Sequence, residues 1–280
     1  MAEQCKICPR GCLINRENSK GFCNEFKQIR ISKIIKNFMW EEPCITGNKG
    51  ALAIFFSGCN LKCDYCQNFQ ISRGGVGEVY SIDEFVNIIE QNQDNHCFID
   101  LITPTHFSDQ LRQAFKKISK KIPVVWNTNG YESTTTIENV SEFVDVFLTD
   151  FKYSDNLLAE KFSKCKNYFE VCLDATKTMC ALKTDKYEND LISQGVLIRH
   201  LVLPGLVKNS LAVLDCIKEN FPERKISLMS QFTPNGQSEL NRPLKAIEYK
   251  TVLAHAEKLQ LTNGYFQDFS SASSNYIPKF

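Results

Sequence analysis

Ala51-Leu52-Ala53-Ile54-Phe55-Phe56-Ser57-Gly58, running into Cys59-Asn60-Leu61-Lys62-Cys63-Asp64-Tyr65-Cys66, is the stretch on which the architecture turns. Six consecutive apolar residues closed by a Ser-Gly turn pair predict a buried strand. Three thiols within the next eight residues then fall in a loop just past the strand's C-terminal end. In open α/β sheets and barrels, ligand and catalytic sites are assembled at that edge.

Thiolates are soft ligands that select zinc or iron–sulfur clusters. A structural zinc takes four ligands, usually as two separated pairs, so Cys59-x3-Cys63-x2-Cys66 is one short. Cys44 lies fifteen residues upstream and His96 thirty downstream, and neither has zinc-knuckle spacing. An iron–sulfur cluster held by three protein thiolates keeps one iron open for an outside ligand.

These residues carry a resemblance. Cys59, Cys63 and Cys66, with aromatic Tyr65 before the last, resemble the signature of the radical S-adenosylmethionine (SAM) superfamily. The surrounding FFSGCNLKCDYCQN is similar to the pyruvate formate-lyase activating enzyme branch. The resemblance implies a 4Fe-4S cluster on the three cysteines, whose open iron is chelated by SAM. One electron then splits SAM into methionine and a 5′-deoxyadenosyl radical that takes hydrogen from a substrate. It also implies a single-electron donor such as flavodoxin or ferredoxin. In such enzymes the cofactor does the hard chemistry, and the protein supplies placement and exclusion of water.

A chain of 280 residues fits one large α/β domain with a small extension. A net charge of +1 gives no nucleic-acid footprint, and the basic run Lys116-Lys117 with Lys120-Lys121 reads as a solvated helix face. No hydrophobic segment follows the first charges, so no signal peptide is expected, and no apolar run reaches the ~18 residues of a membrane span. Thirteen cysteines in such a chain read as metal ligands or buried thiols in a reducing cytoplasm.

The expected domains are a cysteine-rich extension, residues 1–43, and a partial barrel, residues 44–280. The extension carries Cys5-x2-Cys8-x3-Cys12-x10-Cys23, with turns at Pro9, Gly11 and Gly21. Four thiols in nineteen residues are enough for a tetrahedral zinc or a second iron–sulfur cluster, and spacing does not separate the two. A segment this short has no core of its own, so a metal would be its staple. A similar leader accompanies an uncharacterised branch named after the activating enzymes, and the activating enzymes proper lack it. Arg30 to Met39 predicts an added strand. Cys44 either faces the cluster region or fills space.

Downstream, strands and helices alternate. Ser81-x-x-Glu84 is a capping box before a helix with Ile82, Phe85, Val86 and Ile89 on its apolar face. The remaining strands are expected at 97–102, 123–127, 145–148, 196–203 and 226–231. Helices are expected after Ser108 (with Leu111, Phe115 and Ile118 inward), around 167–183 and at 246–259. Six strand–helix units predict a parallel sheet with right-handed crossovers, an incomplete barrel open on one side. This agrees with the partial (β/α)6 TIM-type barrel that the resemblance implies. Only the tail Ser270 to Ser274 looks loose.

Polar residues at the strand ends then line one mouth: Thr103 to His106, Asn127 to Asn129, Asp150 with Lys152, Arg199 with His200, and Gln231. Asp150 and Lys152, two apart, share one face of an extended segment, and buried charge needs a partner or a ligand. In the activating enzymes the matching Asp-x-Lys and Asn/Asp-Thr-Asn-Gly segments hold SAM and a monovalent cation. The resemblance therefore carries cofactor roles to Asp150, Lys152, Asn127 and Thr128, with Tyr65 beside the cluster. Thr103, Thr105 and His106 stand where the superfamily's Gly-Gly-Glu segment binds the SAM amino group, so they are the expected contacts there. Arg199, inside an apolar strand, requires an anionic partner, either a ligand carboxylate or an internal acid. His200 faces the opposite way and reads as packed. His96 and His255 read as surface or helix-flank residues. Gly74-Gly75-Val76-Gly77-Glu78 does not bridge a strand and a helix as phosphate loops do, and is expected as a mobile turn over the cluster.

Three functions follow from these residues: a radical SAM enzyme acting on a protein or peptide, abstracting a glycine hydrogen as the activating enzymes do; a radical SAM enzyme acting on another substrate; or a non-enzymatic iron–sulfur carrier or scaffold. A carrier would saturate its cluster with four cysteines, so the three-thiolate loop favours the enzymes.

Overall fold

The buried run at 51–56 is strand β2 of a mixed sheet. In the computed structural model the described residues are 4–271, 278 and 280. Among them the strands are β1 (Ile29–Phe38), β2 (Ala51–Phe56), β3 (Glu78–Tyr80), β4 (Phe98–Ile102), β5 (Val124–Thr128), β6 (Val146–Asp150), β7 (Lys186–Glu188), β8 (Leu191–Leu201), β9 (Ile226–Met229) and β10 (Gly264–Phe266). Their spatial order is β10-β9-β8-β6-β5-β4-β2-β1-β3, with β7 paired to β8 as an antiparallel hairpin. The six expected strands appear in chain order and in parallel register, with β10 as a seventh parallel strand. On the other side β1 and β3 add antiparallel. Among the described residues β10 and β3 pair only with β9 and β1, so the sheet stays open, as a partial TIM-type barrel does.

Alternation along the strands builds two layers of core. Leu52, Ile54 and Phe56 point outward with Ile99, Leu101, Trp126 and Phe147, and meet Phe85, Ile89, Leu111, Ile137 and Met179 from the surrounding helices. Those helices include Ile82–Asn92, Ser108–Phe115, Thr134–Val140 and Tyr168–Leu182. Ala51, Phe98, Val125, Val146, Leu148 and Leu197 point inward and fill the lower interior with Cys44 and Ile45. Burying one such side chain stabilises the fold by about 1.5–3 kcal/mol. Above that floor the inward positions turn polar, and the cavity begins.

Several details differ from the sequence reading. Ser81 and Glu84 form the expected capping box, but Ser108 is already helical, because the 3₁₀ turn Thr105–Phe107 runs straight into its helix. Cys44 is buried in the lower core and fills space. His96 is buried with its ring on the Asn92 carbonyl (2.8 Å). Gly74–Glu78 is not a free turn. Gly75 N–H donates to Glu25 (2.5 Å), Val76 N–H donates to Ser57 Oγ (3.1 Å), and Glu78 opens β3 on the edge of β1. Within the extension, residues 4–28 form no helix or strand, whereas β1 belongs to the sheet. Phe269–Ser271 is a 3₁₀ turn, and residues 272–274 of the loose tail lie outside the described residues.

Candidate active site

The loop after β2 is held from three sides. Asp64 N–H donates to the Phe162 carbonyl (2.8 Å), Lys62 N–H to the Ser163 carbonyl (3.3 Å), and Asn235 Nδ2 to the Asp64 carbonyl (2.8 Å). Asn60 is fully buried; its Nδ2 donates to the Tyr131 carbonyl (2.6 Å), and its Oδ1 accepts from Asn129 Nδ2 (2.7 Å). Polar hydrogens also point at sulfur. Asn129 Nδ2 and Leu61 N–H each lie 3.3 Å from Cys59 Sγ, and Ser163 Oγ lies 3.0 Å from Cys63 Sγ. Burial pushes the Cys59 thiol up and Cys63 up to about 12, with neighbouring thiols opposing ionisation further.

Cys59, Cys63, Cys66 and Tyr65 line one cavity of about 300 Å³ with Thr103, Asn127, Thr128, Asn129, Asp150, Lys152, Arg199 and Gln231. The residues come together because each follows or ends a parallel strand, and parallel register puts all those ends on one side. Thr103 adopts a left-handed backbone (φ 58°) at the end of β4, where its N–H reaches the Asn127 carbonyl (2.9 Å). The Tyr65 and Tyr153 hydroxyls pair at 2.8 Å, and Tyr153 reaches Ser163 Oγ at 2.7 Å.

An ion network crosses the cavity. Lys152 Nζ lies 2.5 Å from Asp150 Oδ2. The Arg199 guanidinium donates to Asp150 (3.1 Å), Glu41 (2.8 Å) and Asn127 Oδ1 (2.6 Å). Asp150 and Arg199 are direct partners in the β6–β8 register. Burial alone would raise Asp150, but Lys152 and Arg199 outweigh it and hold the carboxyl below its usual range. Glu41 has one cationic neighbour, so burial wins and raises it to about 7. Asp100, fully buried beside Asn127, is raised well above the carboxylate range by burial and by Glu41.

Three expected contacts take other roles. Arg199 borders the cavity, but internal acids satisfy its guanidinium. Thr105 is fully buried and donates to Glu132 (2.6 Å). His106 is buried under the Ser57 carbonyl (2.6 Å), and burial lowers it to about 3, so it is neutral. Neither Thr105 nor His106 lines the cavity, because the turn after Thr103 carries both side chains outward. His200 is packed, as expected, between the Phe151 carbonyl and Ser210.

Glu132 was not legible in the sequence. Its Oε1 accepts from Thr105, Thr128 (2.6 Å each) and Trp126 (3.0 Å), tying the ends of β4 and β5 together below the cavity. Asp100 and Glu41 were missed as well. Asp100 did carry a signal, a charge inside the apolar run Phe98–Ile102.

Residues 53–215, more than half of the chain, match the family model described as the radical SAM superfamily. The chain belongs to the radical SAM superfamily. It is a radical SAM enzyme, and SAM with an iron–sulfur cluster are the cofactors that membership implies. An uncharacterized protein of Methanocaldococcus jannaschii is 30% identical over 278 residues, covering 92% of this chain and 76% of that one. Streptococcus suis SuiB bound to precursor peptide SuiA superposes with a TM-score of 0.54 at 11% identity, covering 76% of this chain and 48% of SuiB. SuiB bound to S-adenosylmethionine gives 0.50 at 13% identity, over 76% and 46%. This chain thus spans about half the length of SuiB, and the likeness is one of fold. The comparisons identify the superfamily and no branch within it.

The residues fit an iron–sulfur cluster by their donor chemistry: three soft sulfurs at a strand end, approached by N–H and O–H donors, in a cavity with polar walls. Among the described residues no three His, Cys, Asp or Glu side chains stand at the mutual distances of a metal site. No helix among them is long and apolar enough to cross a membrane.

Proposed function

We propose that this radical SAM enzyme takes hydrogen from a protein or peptide substrate, in the manner of the glycyl-radical activating enzymes its cysteine loop resembles. When bound, the 4Fe-4S cluster on Cys59, Cys63 and Cys66 supplies the electron that splits SAM into methionine and a 5′-deoxyadenosyl radical. The observation that carries this reading is one cavity holding the three thiols, the strand-end polar groups and an open flank. Lys152 would meet the SAM carboxylate, while Thr103, Asn127 and Asp150 would hold its polar groups and the monovalent cation the resemblance implies, with Thr128, its hydroxyl held by Glu132, contributing through its backbone. Tyr65 would lie beside the cluster. Arg199 and Glu132 hold those groups in place.

Support for a peptide substrate comes from the apolar part of the cavity wall, where Phe38, Trp40, Tyr265 and Pro278 stand beside the polar groups. Such a wall suits an extended segment, and the structural neighbour SuiB was captured with its precursor peptide. A low-potential single-electron donor such as flavodoxin or ferredoxin, in the cytoplasm, completes the cycle.

The test is anaerobic reconstitution with iron and sulfide, then reduction in the presence of SAM. 5′-Deoxyadenosine is expected from the wild type and not from Cys63→Ser. Deuterium is expected to move into it from a candidate peptide deuterated at glycine. A cluster that binds SAM yet releases no 5′-deoxyadenosine would overturn the enzymatic reading. Deuterium arriving only from small molecules would overturn the peptide reading.

A further inference from the structure

Residues 4–28 have no helix or strand and still hold a defined shape. Cys5 N–H donates to the Ile14 carbonyl (2.8 Å), and Leu13 N–H returns to the Cys5 carbonyl (3.0 Å). Gly11 N–H closes a turn on the Cys8 carbonyl (3.0 Å), and Asn24 N–H closes another on the Gly21 carbonyl (2.8 Å). These are two backbone knuckles, each carrying cysteines. Phe22 N–H points at Cys12 Sγ (3.4 Å), the kind of donor that stabilises a thiolate. A Cβ on Gly21 would sit 3.4 Å from Cys23 Sγ and 3.7 Å from Cys12 Sγ, so both sulfurs gather over a residue with no side chain. Among the described residues the four sulfurs do not stand at the mutual distances of a metal site, so binding would draw them together.

The segment also bears directly on the loop that carries Cys59. A Cβ on Gly58 would lie 2.5 Å from the Cys23 carbonyl oxygen, so the two backbones touch. Arg10 donates to the Asn60 carbonyl (2.8 Å) and the Lys164 carbonyl (2.6 Å), with its guanidinium 3.8 Å over the Phe22 ring. Lys62 Nζ lies 5.5 Å from the centroid of the same ring. Arg16, buried, donates to the carbonyls of Phe26 and His106. A segment without a core of its own thus places Arg10 and a peptide group against the cluster loop, and something must hold it rigid.

We propose that Cys5, Cys8, Cys12 and Cys23 close around a metal as a four-thiolate centre, and that this centre braces the loop presenting Cys59. Four soft sulfurs with no open position make a structural site, for a zinc ion or for a saturated iron–sulfur cluster. Folding of so short a segment is then coupled to metal binding. The centre itself does not depend on the proposed substrate. The bracing clause rests on Cys59 being a cluster ligand.

The experiment uses the full chain, purified anaerobically, as wild type, Cys12→Ser and Cys8→Ser. Metal content is read by plasma emission, and amide hydrogen exchange by mass spectrometry. Four irons plus one zinc per chain, with only the zinc lost in the variants, supports a zinc centre. Eight irons falling to four supports a second cluster. Exchange at residues 58–66 is expected to quicken about tenfold or more in the variants, while the remote helix Ala246–Lys258 keeps its protection, which checks the fold. Metal content unchanged in both variants would overturn the centre. Metal lost with unaltered exchange at 58–66 would overturn the bracing. Failure of the radical reading has its own signature in the same wild-type sample, a cluster spectrum indifferent to SAM.

Discussion

Arg199 shows what a single side chain decides here. Its guanidinium holds Glu41, Asp150 and Asn127 at once, with Asp100 close by, and these charged side chains are largely buried at the cavity wall. Removing one partner of a buried ion set strands the others, so Arg199→Met should cost about 3–5 kcal/mol in denaturant unfolding. Lys152→Met should cost less, because among the described residues Lys152 has one ion-pair partner, Asp150. Glu41 makes a pH prediction. Its carboxyl sits near 7 in the fold against 4.5 when unperturbed, so between those values the folded state holds a proton that the unfolded chain releases. Stability should fall as pH rises from about 4.5 to about 7 and then level, and Glu41→Gln should flatten that slope. Denaturant titrations from pH 5 to 8 on both proteins measure it. The need of Arg199 for a partner was visible in sequence, from a charge in an apolar strand. Which partner it takes was not, because Glu41 is 158 positions away.

At the scale of elements, strand identity was readable because burial on both faces writes continuous apolar runs, as at 51–56 and 98–102. Short edge pieces carry too few residues to show a period, so β3, β7 and β10 went unseen. The turn after β5 carries a prediction. Gly130 has φ +81°, and a Cβ there would lie 2.2 Å from the Asp150 carbonyl oxygen. Gly130→Ala should therefore cost about 1–3 kcal/mol and push β5 away from β6. SAM affinity, measured by equilibrium dialysis of the iron-loaded protein, should drop with it, because Asn129 and Asp150 flank that contact. A variant as stable as wild type with unchanged SAM affinity would refute the close packing.

For the whole molecule, the cavity draws on β1, β2, β4, β5, β6, β8, β9 and β10, so a ligand there ties the sheet together. SAM at a hundredfold its dissociation constant should stabilise the iron-loaded chain by about 2.7 kcal/mol. Iron-stripped protein and Cys63→Ser should show almost no shift. Thermal melts under nitrogen read both. The sequence by itself determined the parallel α/β class, the open side, the three-thiol loop and the strand ends that line one mouth. These follow from local periodicity and from the chemistry of closely spaced residues. The tertiary structure decided what local spacing does not encode. Thr105 and His106 turn away from the cavity, Glu132 ties β4 to β5, Glu41 takes Arg199, and the cysteine-rich segment lies against the Cys59 loop. Each is a contact between residues far apart in the chain, set by how strands pair and helices pack. Such contacts exist only once the sheet has formed.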